Sequence, residues 1–275
     1  MSAQFINLIL VKNFIIGICF GSFFNVVIYR LPLNLPIVKP RSFCPKCKKK
    51  LTWRENIPLV SFLIQRGKCK SCNMHISFRY PLTEFLTGIL FVFFANSSPS
   101  MYSLIQSSFF NILFSWLFLS LLICISLIDM DSFWIPQGLI NFGFVFGILG
   151  LIYLDILKEQ SIDFSLTAIG LTTAAISFLI FESLRHFAKY IFKKDALGKG
   201  DSKLIAMLAL WLGPMGTLFM VGFSYIFAAA YCFLGLSMNF LRLRQAIPFA
   251  PFLSLGGLVV WLLGNKFIME KILHI

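Results

Sequence analysis

Charge is scarce in this chain: Lys, Arg, Asp and Glu make up 13% of its 275 residues, and only 11 of those are acidic. An ordinary soluble domain carries about a quarter charged residues, so a large separate soluble catalytic domain has no room here. Histidine is scarcer still, and His75, His186 and His274 make no pattern with Ser or Cys that would build a nucleophilic triad. There is no G-x-S-x-G and no H-E-x-x-H, which removes the commonest signatures of serine and zinc hydrolases. Without a G-x-G-x-x-G after a strand, no Rossmann-type cofactor site can be read. No period of 20 to 50 residues recurs and no low-complexity segment is present. The first apolar run lacks a small-x-small cleavage site and outlasts a signal-peptide core, so it is expected to be a permanent first span.

Apolar residues are what remains. They reach 58%, with 33 Phe and a mean hydropathy of +0.85, the composition of a chain whose solvent is largely lipid. At roughly 20 apolar residues per crossing, a chain of this length holds about six to eight helices beside one modest loop. Apolar runs at about 8–29, 80–97, 104–128, 134–154, 164–182, 203–213, 215–237 and 249–268 predict about eight crossings. The expected architecture is an all-α, polytopic membrane helical bundle. It divides into a first span over 1–29, a small cytoplasmic loop over 30–79, and a transmembrane core over 80–275.

The net charge of +13 is explained by topology rather than by nucleic acid. With the N-terminus outside, the inside segments carry 20 of the 24 Lys and Arg: twelve from Arg30 to Arg79, six from Arg185 to Lys203, and Arg242 and Arg244. That asymmetry follows the positive-inside rule. No base-reading motif accompanies the basic residues, so no nucleic-acid partner is expected. The run Lys48, Lys49, Lys50 reads as a solvated face near anionic headgroups.

Three of the seven cysteines, Cys19, Cys124 and Cys232, lie in apolar runs, where a thiol behaves as a small hydrophobe. The other four form Cys44-Pro-Lys-Cys47 and Cys69-Lys-Ser-Cys72, with 21 residues between the pairs. Two such pairs can wrap four thiolates around a tetrahedral zinc and close its coordination sphere, a structural role. Two disulfides or four idle thiols are the alternatives, and a reducing cytosol disfavours the first. Rubredoxin-like iron uses similar spacing. His75, three residues after Cys72, is surplus to a four-cysteine site and reads as a surface residue.

Two aspartates sit at the edges of apolar runs on the same expected side: Asp129 in Leu127-Ile128-Asp129-Met130-Asp131, and Asp201 in Gly198-Lys199-Gly200-Asp201-Ser202-Lys203. An acid there can be merely interfacial, and Asp201 can be a plain helix N-cap. Gly198 and Gly200 let the backbone turn tightly and bring Asp201 close to another segment. Two carboxylates brought together share a proton, which supplies both a general base for water and a general acid for the scissile carbonyl and leaving amine.

These segments resemble the type IV prepilin peptidase family, bifunctional leader peptidases and N-methyltransferases. The resemblance rests on Gly21-Ser22-Phe23-Phe24-Asn25 through Arg30-Leu31-Pro32, the cysteine loop with Glu55-Asn56-Ile57-Pro58 between its pairs, Arg79-Tyr80-Pro81-Leu82-Thr83-Glu84, the two aspartate segments, and Ile247-Pro248-Phe249-Ala250-Pro251-Phe252. It implies catalysis by Asp129 and Asp201, supported by Gly198 and Gly200. It also implies a prepilin or pseudopilin substrate cut after Gly at the cytoplasmic face of the bacterial inner membrane, then N-methylation from S-adenosylmethionine. The residues that bind this cofactor are not identified beyond the cytoplasmic face and loop 30–84. Two departures stand out: Gln137 where the family often has Asp, and Ala250 where Gly is usual.

Glu84, at the cytoplasmic edge of the second span, is a candidate second functional carboxylate, with a salt bridge to Arg79 as the alternative. Asn25 is expected to hydrogen-bond between helices. The competing overall readings are a non-proteolytic transporter or scaffold with a zinc-stabilised loop, and an intramembrane aspartyl protease with another substrate.

Overall fold

The computed structural model describes residues 3–95, 108–157, 165–193, 198–242, 245–264 and 268. Among them the named elements are all helical, and five helices are long and apolar enough to cross a membrane. The chain divides into two compact units, Met1–Asn96 and Ser97–Ile275.

In the first unit α1 (Ala3–Arg30) packs against α3 (Arg79–Ala95). Glycine makes the close approach possible: a Cβ at Gly17 would lie 2.7 Å from the Cα of Gly88, and one at Gly21 would lie 2.7 Å from the Cα of Glu84. Small residues at such a seam let two backbones meet, the main source of helix association where solvent is as apolar as the side chains. Phenylalanines fill the flanks, with Phe14 against Phe85 and Phe20 against Phe91 at ring-centroid separations of 6.1 and 5.5 Å. Asn25 Nδ2 donates to the Tyr80 carbonyl at 3.1 Å and joins the two helices. The pairing of α3 with α1 places both in the first unit.

Arg30 ends α1 and organises the chain that follows. Its guanidinium is buried and donates to the carbonyls of Pro36, Ile37 and Pro40 at 3.0, 2.9 and 2.8 Å. Between α1 and α3 the loop holds a short 3-10 turn (Trp53–Asn56) and a five-residue helix α2 (Val60–Ile64).

The second unit contains α4 (Ser108–Ser132), α5 (Gln137–Leu157), α6 (Ser165–Phe192), α7 (Lys199–Ser237) and α8 (Ala250–Leu263). Its centre is the first half of α7, where Leu204, Ile205, Met207, Leu208, Ala209, Leu210 and Trp211 are fully buried. A helix apolar on all sides is a core helix. Trp211 Nε1 donates to the Gly143 carbonyl at 2.9 Å, and Phe118 stacks on Trp261 at 4.3 Å.

The sequence reading expected separate crossings over 203–213 and 215–237, and the structure breaks between those two runs: the 39-residue stretch α7 is two helices meeting at Gly213. Gly213 has φ 70° and ψ −179°, a conformation essentially restricted to glycine. Pro214 follows and cannot donate to the helix ladder. Thr217 Oγ1 donates to the Gly213 carbonyl at 2.7 Å. The stretch before the break is buried on nearly every side and serves as the core around which the other helices of this unit pack. The expected runs 104–128, 164–182 and 249–268 correspond to α4, α6 and α8, with residues 104–107, 164 and 265–267 outside the described residues.

Candidate active site

Asp129 lies in the last turn of α4 and is 5% exposed. Its Oδ2 accepts the main-chain N–H of Ala250, the first residue of α8, at 3.1 Å. A helix N-terminus offers unsatisfied N–H groups and a partial positive charge, both favourable to a carboxylate. Asp131, two residues on and exposed, falls on another side of the helix end.

Asp201 is 8% exposed and stands third in α7. Sequence allowed it to be the N-cap; instead Gly198 caps the helix, and Asp201 Oδ2 reaches back to accept the Gly198 N–H at 3.1 Å. Asp201 interacts electrostatically with Asp129 and with Tyr225. Two buried carboxylates thus act on each other, each with Oδ2 held by a backbone N–H and Oδ1 without a hydrogen-bond partner among the described residues.

The two glycines act through space rather than through special dihedrals, since neither has a positive φ. A Cβ at Gly200 would lie 2.9 Å from the Ile135 Cβ in the α4–α5 connection, and one at Gly198 would lie 3.0 Å from Asp201 Oδ2. Glycine therefore lets the start of α7 slide under the chain leaving α4. Leu197, the first residue of the motif, is outside the described residues.

Both departures from the family pattern are accommodated. Gln137 Oε1 accepts from Lys203 Nζ at 2.7 Å, so the amide keeps the acceptor that a carboxylate would offer. Ala250 uses only its main chain toward Asp129, which leaves its side chain free to differ from glycine.

Several partners went unread in the sequence. Ser202, fully buried beside Asp201, donates to Glu182 Oε2 at 2.9 Å, and Glu182 is paired with Arg185. This fastens α6 to the first turn of α7. The signal available was a hydroxyl next to the aspartate, too common to single out. Glu182 also faces His186 at 3.4 Å, while His274 lies outside the described residues. The buried Asp155 accepts from Leu166 N, Thr167 N and Thr167 Oγ1, and so caps α6. Its saturation marks it as structural, in contrast to the open Oδ1 atoms of Asp129 and Asp201.

In the first unit, the ligand atoms of Cys44, Cys47, Cys69 and Cys72 all lie within 4.8 Å of one another. Cys44 Sγ and Cys72 Sγ are 3.8 Å apart, the separation that Zn–S bonds of about 2.3 Å give across a tetrahedral edge. The two halves match. Cys44 N donates to Lys49 O and Lys48 N to Cys44 O, just as Cys69 N donates to Met74 O and Asn73 N to Cys69 O. Lys48 and Asn73, each four residues after the first Cys of its pair, take positive φ values of 58° and 54°. The N–H groups of Ser71 and Cys72 hydrogen-bond the Cys69 sulfur and favour its thiolate, the form that binds a metal. The four sulfurs can hold one metal ion, with no water position left. His75 is exposed and outside this group.

Glu84, on the inner face of α3, accepts the Leu59 N–H at 2.7 Å. Leu59 has φ 59° and ψ −49°, an uncommon conformation for a leucine that this bond helps to hold. Glu84 also lines a partly open cavity of about 410 Å³ between α1, α3 and the loop, together with Asn25, Tyr29, Asn56, Phe62 and Tyr80.

Comparison with known proteins follows the two units. The sequence model described as "Bacterial Peptidase A24 N-terminal domain" matches residues 15–97, and that of the "Type IV leader peptidase family" matches 116–233. The chain is 34% identical over 262 residues to the "Type 4 prepilin-like proteins leader peptide-processing enzyme" of Escherichia coli O78:H11, covering 88% of this chain and 89% of that protein. It is 33% identical over 257 residues to the "Prepilin leader peptidase/N-methyltransferase" of Bacillus subtilis, covering 93% and 94%. A Myxococcus xanthus protein of the same description is 38% identical over 204 residues, which are 72% of this chain and 55% of that longer protein. No solved structure matches.

Proposed function

This chain belongs to the type IV leader peptidase family, and from that premise we propose that Asp129 and Asp201 cleave the leader of a type IV prepilin or pseudopilin. Cleavage falls after the leader's Gly, at the cytoplasmic face of the bacterial inner membrane. The observation that carries this reading is the pair itself: two buried acids near enough to act on each other electrostatically, each anchored through one oxygen by a helix-terminal N–H. Competition between like charges in a poorly hydrated place favours one shared proton.

In the reaction, the ionised carboxylate takes a proton from water as the water oxygen attacks the scissile carbonyl carbon. The protonated carboxyl hydrogen-bonds the carbonyl oxygen as charge grows there. Collapse of the tetrahedral species breaks the C–N bond, and a carboxyl proton passes to the leaving amine. Anchoring both Oδ2 atoms to rigid helix ends keeps the free Oδ1 atoms oriented for these transfers.

Zinc on the four cysteines would tie the two halves of the loop together and take no part in hydrolysis. The loop cavity is of the size that small-molecule sites have. There Tyr29, Phe62 and Tyr80 would pack an adenosine, and Glu84 would face a cationic group of S-adenosylmethionine. When bound, that cofactor supplies an electrophilic methyl group for the α-amine exposed by cleavage. The test is a purified-protein assay on a prepilin-like peptide, with mass spectrometry of both products. An uncut peptide, or cutting elsewhere than after Gly, overturns the peptidase reading; cleavage without methyl transfer in the presence of S-adenosylmethionine overturns only the second activity.

A further inference from the structure

Helix α2 has two unlike faces. Inward, Ser61 and Phe62 line the loop cavity, and Phe62 lies 6.1 Å from the Phe78 ring. Outward, Val60, Leu63 and Ile64 recur at i, i+3 and i+4, so they share one stripe. Leu63 is 73% exposed and Ile64 76% exposed, with the exposed Phe78 on the same loop. Glu84 fixes the first turn by accepting the Leu59 N–H, so the stripe is held by the fold in this direction. Three aliphatic side chains lifted into water from an anchored helix mark an interaction surface.

The surrounding charge says what covers it. From Leu31 to Phe78 the loop carries ten Lys and Arg and a single acid, Glu55, whose carboxylate is taken up by the Thr52 N–H and hydroxyl. The loop also begins where α1, a helix able to cross a membrane, ends at Arg30, so it is tethered at a bilayer surface. A basic segment bearing an apolar stripe beside a bilayer has the chemistry of an interfacial anchor: aliphatic groups enter the headgroup region while lysines and arginines meet lipid phosphates.

We propose that α2 is a membrane-interface anchor, seating Val60, Leu63 and Ile64 in the surface of an anionic bilayer and thereby holding the cysteine loop against the membrane. This rests on the membrane character of α1 and is independent of the catalytic reading.

The test uses the full chain in nanodiscs made either of phosphatidylcholine alone or of equal parts phosphatidylcholine and phosphatidylglycerol, each doped with a phospholipid carrying a photoactivatable diazirine high on its acyl chain. Adducts mapped by mass spectrometry should fall on residues 60–64 and on Phe78, and should be several-fold more abundant with phosphatidylglycerol. The double substitution Leu63→Ser, Ile64→Ser should reduce them several-fold while stoichiometric metal in the cysteine site reports an intact loop. Absence of lipid adducts on the unmodified protein, or equal labelling in both lipids, overturns the proposal without recourse to any variant. So does crosslinking of this stripe to a second copy of the chain or to added prepilin peptide in place of lipid.

Discussion

The Ala250 N–H donates to Asp129 Oδ2 at 3.1 Å across 121 residues of sequence. The bond joins the end of α4 to the beginning of α8, so the first aspartate is positioned by a helix terminus. Because the donor is main chain, Ala250→Gly should leave leader cleavage within a few-fold of the parent. Ala250→Leu, at a fully buried position, should cost about 1–3 kcal/mol of stability through overpacking. Thermal unfolding in detergent and the cleavage rate read the two effects separately.

Asp129→Asn and Asp201→Asn should each abolish cleavage while membrane insertion and metal content persist. Asn keeps the shape and cannot carry the shared proton, so each role loses roughly 10²–10⁴-fold. The two groups act as one unit, and the double variant should be little worse than either single. The exposed Asp131, replaced by Asn, should retain much of its activity. Substantial cleavage by either single variant would rule out the aspartyl mechanism.

Gly200 and Ile135 form a second testable pair. Gly200→Ala places a methyl group 2.9 Å from the Ile135 Cβ and should destabilise by about 1–3 kcal/mol while displacing Asp201. Ile135→Ala in the same chain should restore part of the lost cleavage. Additive losses in the four-variant cycle would show that the two residues do not share this contact.

Elemental analysis should find one zinc per chain, and Cys44→Ser or Cys69→Ser should release it. Hydrogen exchange should then rise over 43–50 and 68–75, where the paired turns are built around the sulfurs. Stoichiometric iron in place of zinc would leave the geometry intact and change the metal. A disulfide-bonded quartet would refute the site.

Reporter fusions should find the cysteine loop inside and the connection between α5 and α6 outside, the orientation that puts 20 of 24 basic residues inside. A fusion in the loop with periplasmic behaviour would reverse the topology and remove the cytoplasmic placement of Asp129 and Asp201.

The sequence alone determined much of this protein, for local reasons. Long apolar runs demanded helices because a bilayer offers no partner for a bare backbone. The spacing of Cys44, Cys47, Cys69 and Cys72 was enough to suggest a four-sulfur site, since each pair's ligands are fixed by a single turn. Asp129 and Asp201 stood out because acids in such a chain are few. Tertiary structure decided what depends on distant contacts. It made the stretch of α7 before Gly213 the buried core of the second unit, because burial depends on neighbours and not on hydropathy alone. It showed Gly200 to be small for the sake of Ile135, gave Asp129 its partner 121 residues away, and turned Glu84 toward Leu59. None of these contacts leaves a mark in the local sequence, because each is set by which helices pack together.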